Sequence, residues 1–466
     1  MSDQFYGFHS EWNLGSPGGW DYQRITQQIS KAVWQKLKQV CRFEMNLDFD
    51  HPLLYPINGF KKMLIDAYYR IAGRNPGFIA VVAEEETLQD VIENQNLAEQ
   101  LNDIEGITSV LMAPHELSLH GDRIYWHDHE VSLIFMDFNT DVLLNLHKKH
   151  GLDPLMQAVR QNRVINPRGT QPINSKAVFE IITDPEINTI FHAETVKRTP
   201  WTRVFQDRTT SGPDGKEIKD LIGWVRKHWQ DIVLKPEHGY SGKGVYVSDM
   251  DISIDDIIEN ALAVSDYGRY IVQQKIPLSR WSERIPDLDK KNGQILNCTY
   301  QTDFRCLFGA KELYGFLGRY GGVPTNVGSG GGVQPLAVLP PGSDIGEATR
   351  RINEQILRMK FTDLSEIHAY QKELALKNRF TYLLGPIKIA LRPRLLTPDQ
   401  MNALTTYCSG IWKDCLLLEK MWMEGTLDEL LKLPEEDLEV VRAQPWNGSP
   451  AIFASDGLFD FGAANI

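Results

Sequence analysis

Residues 231–249 read DIVLKPEHGYSGKGVYVSD, and the reading of this stretch decides the fold. Ile232 to Lys235 make an apolar strand, Gly239, Gly242 and Gly244 fall in the loop that follows, and Val245 to Val247 read as a second strand. Glycines at that spacing let backbone N–H groups surround phosphate oxygens, and Lys235 and Lys243 add positive charge. A Walker A loop is excluded, because G-x-x-x-x-G-K-S/T is absent and no helix follows. A dinucleotide fingerprint is excluded too, since the glycine order is G-x-x-G-x-G.

Working outward, Lys176 in NSKAVFEIITD opens a helix before the loop. After it, RYIVQQKIP is a buried strand ending in Gln274, Lys275 and Ile276. Residues 297–332 then read NCTYQTDFRCLFGAKELYGFLGRYGGVPTNVGSGGG. Period-two alternation puts Thr299, Gln301, Asp303 and Arg305 on one face of a strand and Cys298, Tyr300, Phe304, Cys306 and Phe308 on the other. Cys298 and Cys306 are therefore expected in the core. Arg305, Arg319 and Asn326, with glycines after them, suit a transferring phosphoryl group.

This ordered set resembles the ATP-grasp superfamily over roughly residues 165–335. Lys176 and Lys235 look like its two nucleotide lysines. Gly239, Ser241, Gly242, Lys243 and Gly244 look like its phosphate-covering loop, and Gln274, Lys275 and Ile276 like its adenine-contacting linker. The run DFR…GRYGG…N…GG is similar to the D-x-R…R…N…GG run of ATP-grasp ligases that append amino acids, which makes Arg305, Arg319 and Asn326 the implied catalytic residues.

The two ends of the chain extend the resemblance. Phe8–Tyr22 read FHSEWNLGSPGGWDY, in which Glu11 and Asn13 point the same way on a strand before a Ser-Pro-Gly-Gly turn. Residues 449–466 read SPAIFASDGLFDFGAANI, with Asp456 in an apolar strand and Asp460 as a same-face alternative. ATP-grasp enzymes hold Mg2+ with an Asp on one strand and a Glu-x-Asn on the next, oxygen ligands suited to a hard cation. The implied metal ligands are Glu11, Asn13 and Asp456, with Glu237 or Asp303 as alternatives to Asp456. The layout resembles glutathionylspermidine synthases and related circularly permuted ligases, in which the hairpin joining these two strands is cut and its halves become the termini.

The expected fold is accordingly α/β (α+β), a circularly permuted ATP-grasp. Residues 1–60 carry the metal-binding strand and a helix on which Ile25, Ile29, Val33, Leu37 and Val40 recur at helical spacing. Residues 60–160 form a small parallel-sheet lobe from FIAVVA, TSVLMA, DRIYWHD and VSLIFMDF, with Glu84, Glu85 and Glu86 at a helix N-terminus. The nucleotide lobes span 165–340, and 343–466 is helical before the final strand. There Thr397 caps a helix whose Met401, Leu404, Cys408, Ile411, Cys415, Leu418 and Trp422 form one buried stripe.

Composition agrees and excludes other classes. A net charge of −12 disfavours nucleic acid and anionic membranes as partners. The apolar runs are far below the ~18 residues of a membrane span, and MSDQFYGFHSEWNLG lacks the basic and apolar regions of a signal peptide. Five cysteines without a C-x-x-C pair suit a reducing cytoplasm. The resemblance implies ATP and Mg2+ as cofactors, and a ligase that joins a small-molecule carboxylate to an amine through an acyl phosphate. A homodimer is an open assembly state. A kinase that stops at phosphorylation and a nucleotide-binding pseudo-enzyme are the alternatives.

Overall fold

A computed structural model describes residues 4–41, 45–73, 77–239, 244–264, 268–277, 281–310, 312–322, 325, 327, 330–382, 385–464 and 466. Both ends of the chain run into one sheet. Tyr6–Asn13 pairs antiparallel with Phe453–Asp460, which pairs antiparallel with the inner half of Gln294–Gly309. Glu312–Gly321 and Gly332–Gln334 continue the sheet, and Lys388–Ile389 closes it as a parallel edge. Ser282–Asp289 pairs with the outer half of Gln294–Gly309.

The register sets Glu11 opposite Asp456 and Asp456 opposite Arg305, so three charged residues from distant parts of the chain form one row. A bulge between His9 and Glu11 makes this compatible with a buried strand. Strict alternation would send His9, Glu11 and Asn13 the same way. The extra residue, Ser10, lets His9 and Trp12 enter the core while Glu11 and Asn13 stay half-buried on the other face. His9 shares hydrogen bonds with the Tyr407 hydroxyl (2.6 Å) and Thr199 Oγ1 (2.8 Å), and burial lowers its pKa to about 3.

On the core face, Phe459 stands edge-on to Phe5 (5.4 Å), Tyr407 (5.9 Å) and Phe304 (6.4 Å), which ties both termini to the long central strand. The helix Pro398–Met423 covers this face, and its expected stripe from Met401 to Trp422 is buried throughout. Thr397 caps it in a capping box with Gln400. Cys306 is fully buried as expected, but Cys298 is only half-buried. It sits on the outer arm that Ser282–Asp289 and Gln294–Gly309 form beyond the last strand, where the sheet has less cover.

A separate three-stranded antiparallel sheet, in the order Ile232–Pro236, Tyr270–Gln274, Thr202–Val204, carries the glycine loop. Its own core contains Leu221, Val225, Leu234, Ile257 and Val272. The expected second strand at Val245–Val247 is reduced to a single bridge between Tyr246 and Leu234. Lys176 precedes, by one residue, a helix of one turn or so, Val178–Ile182.

In the small lobe, Phe78–Val82 lies between Ser109–Met112 and His129–Met136, all parallel, with Val164–Ile165 parallel beyond. All five residues of Phe78–Val82 are buried, and successive side chains enter two different cores, Ile79 and Val81 in one, Phe78, Ala80 and Val82 in the other. The sheet is mixed and not purely parallel, because the hairpin Ser118–His120 and Arg123–Trp126 adds antiparallel strands to its edge. Glu85–Thr87 forms a 3-10 turn, and the α-helix expected there begins only at Ile92. In the helix Trp20–Cys41, Ile25, Ile29, Val33 and Leu37 are buried as expected, while Val40 is 43% exposed in the last turn. Among the described residues no helix is long and apolar enough to cross a membrane.

If Phe459 clamps the two ends of the chain together, Phe459→Ala will cost about 3–5 kcal/mol in urea unfolding. Leu458→Ala, on the half-buried face of the same strand, will cost less than half of that. Equal losses would show that the aromatic cluster does not hold the ends.

Candidate active site

Arg305 and Asp456 form the centre of the site. Arg305 donates from Nε (2.6 Å) and Nη2 (2.5 Å) to the two oxygens of Asp456, a bidentate pair between adjacent strands. Its remaining nitrogen, Nη1, donates to the carbonyl of Gly18 (2.7 Å). Arg319 approaches Asp456 at 3.4 Å and donates to Asp303 at 2.7 Å, and Thr325 also donates to Asp303. Burial pushes the Asp456 carboxyl up, but the Arg305 and Arg319 guanidiniums together outweigh it and hold the group below its usual range. Arg319 is raised: burial alone would lower it, and Asp303 and Asp456 more than compensate.

Lys235 arrives from the three-stranded sheet and Lys176 from the turn before the helix Val178–Ile182. Lys235, 8% exposed, donates to the carbonyl of the bulge residue Ser10 at 3.1 Å. Lys176 donates to the carbonyl of Gly239 at 3.0 Å and lies 3.6 Å from the Glu11 carboxylate. Burial lowers Lys235 to about 8, with Lys176 adding to the effect and Glu11 opposing it. Two cations, one of them bound to the carbonyl of Gly239, thus face the strand that carries Glu11 and Asn13. The Asn13 Oδ1 atom is buried without a hydrogen-bond partner among the described residues.

Other candidates lie elsewhere. Gln274 is exposed at the end of its strand, and Lys275 reaches Ser248 at 3.1 Å. Ile276 follows in the segment leaving the strand, and Gly244 takes a left-handed φ of +73°. Ser241, Gly242, Lys243 and Asn326 lie outside the described residues. Of the alternative metal ligands, Asp303 is engaged by Arg319 and Thr325. Glu237 is fully buried and paired with Arg269 at 3.1 Å, and burial raises it to about 7 against that pairing. Asp460 accepts from the backbone of Gly462, Ala463 and Ala464 and so closes the C-terminal turn. Among the described residues no three His, Cys, Asp or Glu side chains converge as a metal cluster.

Beside Arg305 and Arg319 opens a cavity of about 390 Å3, roofed by the small lobe. Glu84 and Asp137 line it, the first separated from Phe78–Val82 by Ala83 and the second directly past His129–Met136, two parallel strands at the edge where ligands collect in such sheets. Glu93 belongs here and went unnoticed in the sequence. Its carboxylate accepts from the backbone N–H groups of Gly19 (2.8 Å), Asp21 (2.7 Å) and Tyr22 (3.1 Å), the open N-terminus of the helix Trp20–Cys41. Burial raises Glu93 to about 8 while these N–H bonds pull it down. One sequence signal existed: Glu93 and Asn94 fall on the same helix face as Leu97 and Leu101, polar residues where apolar ones are expected. The Ser-Pro-Gly-Gly turn is therefore pinned from three sides, by Arg305 on Gly18, by Glu93 on Gly19, and by Asp137, which accepts from Ser16 at 2.5 Å.

Neither a family model nor a curated protein matches the chain. Among solved structures 22 chains match; one is a RimK domain protein ATP-grasp from Sphaerobacter thermophilus, 18% identical, over 53% of this chain and 75% of that chain, with a TM-score of 0.30. A superposition that loose carries no argument about this chain.

Glu93→Leu leaves three backbone donors without an acceptor and will destabilise the protein by at least about 2 kcal/mol in urea unfolding. Glu86→Leu, on the exposed 3-10 turn, will change it by less than about 0.5 kcal/mol. Equal effects would remove Glu93 from its role as the cap of this helix.

Proposed function

We propose that this chain is an ATP-dependent carboxylate–amine ligase with a circularly permuted ATP-grasp fold. One observation carries the reading: Lys235 from one sheet and Lys176 from the turn before the helix Val178–Ile182 converge on the strand bearing Glu11 and Asn13, and the same row continues into Asp456 and Arg305. A two-sheet cleft with cations on one side and oxygen ligands on the other suits a nucleoside triphosphate with its magnesium. The pairing of the first and last strands supports the permutation, since it makes one metal-binding sheet edge from the two ends.

Glu11 and Asn13 would hold Mg2+ and fit it in kind, since both offer oxygen and Asn13 Oδ1 has no other partner among the described residues, while Asp456 would join them only by giving up arginine donors that hold both its oxygens. When bound, ATP supplies the γ-phosphoryl group that activates the substrate carboxylate as an acyl phosphate, and Mg2+ screens the phosphate charges. Lys235 and Lys176 would neutralise the phosphates from the loop side. Arg319, and Arg305 on exchanging one of its present acceptors, would stabilise the negative oxygen that develops when the amine adds to the acyl carbon and phosphate leaves. The cavity under the small lobe is where the carboxylate and amine would meet, apart from the nucleotide lysines. A cytoplasmic setting goes with this reading, and all five cysteines are unpaired thiols.

The activity is tested by following phosphate release with amino acids and amines supplied in pairs. Release that requires both a carboxylate and an amine is expected. Release with the carboxylate or a hydroxyl compound alone, leaving a stable phosphorylated product, would make the protein a kinase, and no release with any pair would favour a pseudo-enzyme.

Lys235→Met keeps the buried stem but removes the charge, so ATP affinity will fall about tenfold or more, as for one lost charge-assisted contact. Arg305→Lys keeps a cation beside Asp456 but loses the bidentate geometry. Turnover will slow roughly a hundredfold while ATP affinity stays within about threefold. A matching loss of ATP affinity would make Arg305 a ground-state phosphate ligand.

A further inference from the structure

Behind the central sheet lies a second cavity, of about 380 Å3, that the proposed reaction does not use. It opens between the outer arm of the sheet, the helix Phe361–Lys377 and the segment Pro386–Leu391. Arg319 lines the reaction cavity and its neighbour Tyr320 lines this one, because successive residues of a strand point to opposite faces. Its volume falls within the range of small-molecule sites.

Three observations describe its chemistry. The floor is aromatic: Tyr300 and Tyr320 stand edge to face, 5.1 Å apart at 86°. The wall holds an unanswered donor. Gln371 occupies a core position of its helix, in line with Leu364, Ile367 and Ala375, and is 4% exposed, yet its Nε2 has no acceptor among the described residues. The mouth is basic. Lys290, Lys372 and Lys388 are all exposed there and make no ion pair among the described residues. Against them stands one lining carboxylate, Asp287, and one of its oxygens already accepts from the Tyr300 hydroxyl at 2.6 Å. His368, on the same wall, feels that field: burial lowers its pKa, and Lys290 and Lys372 lower it further against Asp287.

We propose that this cavity binds a small planar aromatic anion, its ring against Tyr300 and Tyr320, an acceptor on Gln371 Nε2, and its carboxylate or phosphate at the lysine mouth. The aromatic floor selects the ring, because offset and edge-on aromatic contacts favour a planar partner. The lysines select the charge, and the buried amide rewards an acceptor at the inner end, since an unmet buried donor is otherwise a standing cost. The site lies on the far face of the strand that carries Arg319, and its ligand is distinct from the proposed nucleotide and both proposed substrates.

The test is isothermal titration of the full chain with benzoate, indole-3-carboxylate and phenyl phosphate, with acetate, inorganic phosphate and indole as controls. At least one aromatic anion will bind with a Kd of about 1 mM or tighter, and each control about tenfold more weakly. Lys372→Glu, an exposed change that leaves the fold intact, and Gln371→Leu, which keeps the core filled, will each weaken the aromatic anion about tenfold. Lys235→Met will leave this binding unchanged, which separates it from the nucleotide cleft. The proposal is overturned if none of the three aromatic anions binds, if a control binds as tightly, or if affinity is unaltered in both cavity variants.

Discussion

The buried pair between Arg305 and Asp456 is the constraint on which the rest of this structure depends. It joins the last strand to the longest one at the middle of the sheet, and through Gly18 it also fixes the turn that follows the first strand. Placing two charges in a core costs desolvation, which only good geometry offsets, and losing one partner of such a pair costs about 3–5 kcal/mol. Here every nitrogen of the guanidinium has an acceptor, and both carboxylate oxygens have donors. The pair is thus a register lock: slipping either strand by one residue would turn one of the charges into the apolar layer behind it.

Around that lock the charges are arranged in bands. Lys176 and Lys235 lie toward the glycine loop, Glu11 and Asp456 come next, Arg305 and Arg319 follow, and Glu84, Glu93 and Asp137 line the wall under the small lobe. Alternating sign over short distances keeps buried charges paired while leaving a graded field along the cleft. The small lobe contributes more than a roof, because Glu93 completes the N-terminus of a helix that belongs to the first sixty residues. Its presence fixes the Ser-Pro-Gly-Gly turn against which Arg305 rests.

Much of this was legible in the chain itself. The apolar stripe of Pro398–Met423 and its Thr397 cap follow from helical period and local hydrogen bonding, so they need no partner to be recognised. The run Phe78–Val82 reads as a fully buried strand for a similar reason: both its faces are apolar. Lys176, Lys235, Glu11, Asn13, Arg305 and Asp456 could each be singled out, because residues two apart on a strand share a face and glycines mark where backbone must approach a ligand closely. Where expectation failed, the cause was local. Val245–Val247 alternates like a strand but, among the described residues, bridges only to Leu234, and Cys298 lies on an apolar-looking face that projects past its neighbours.

Sequence by itself determined the elements, their apolar faces and the identity of the charged residues, since those depend on period, propensity and side-chain chemistry over a few positions. Tertiary structure alone decided which charges meet. The bulge at Ser10 is invisible in the sequence, yet it turns Glu11 and Asn13 away from His9 and Trp12. The pairing of Arg305 with Asp456, 151 positions apart, depends on a strand register that no local pattern encodes. Glu93 reads as one more acidic helix residue until the open end of another helix is brought against it. Hydrogen bonds and ion pairs act over a few ångströms of space, and it is the packing of the sheets, not proximity along the chain, that sets those distances.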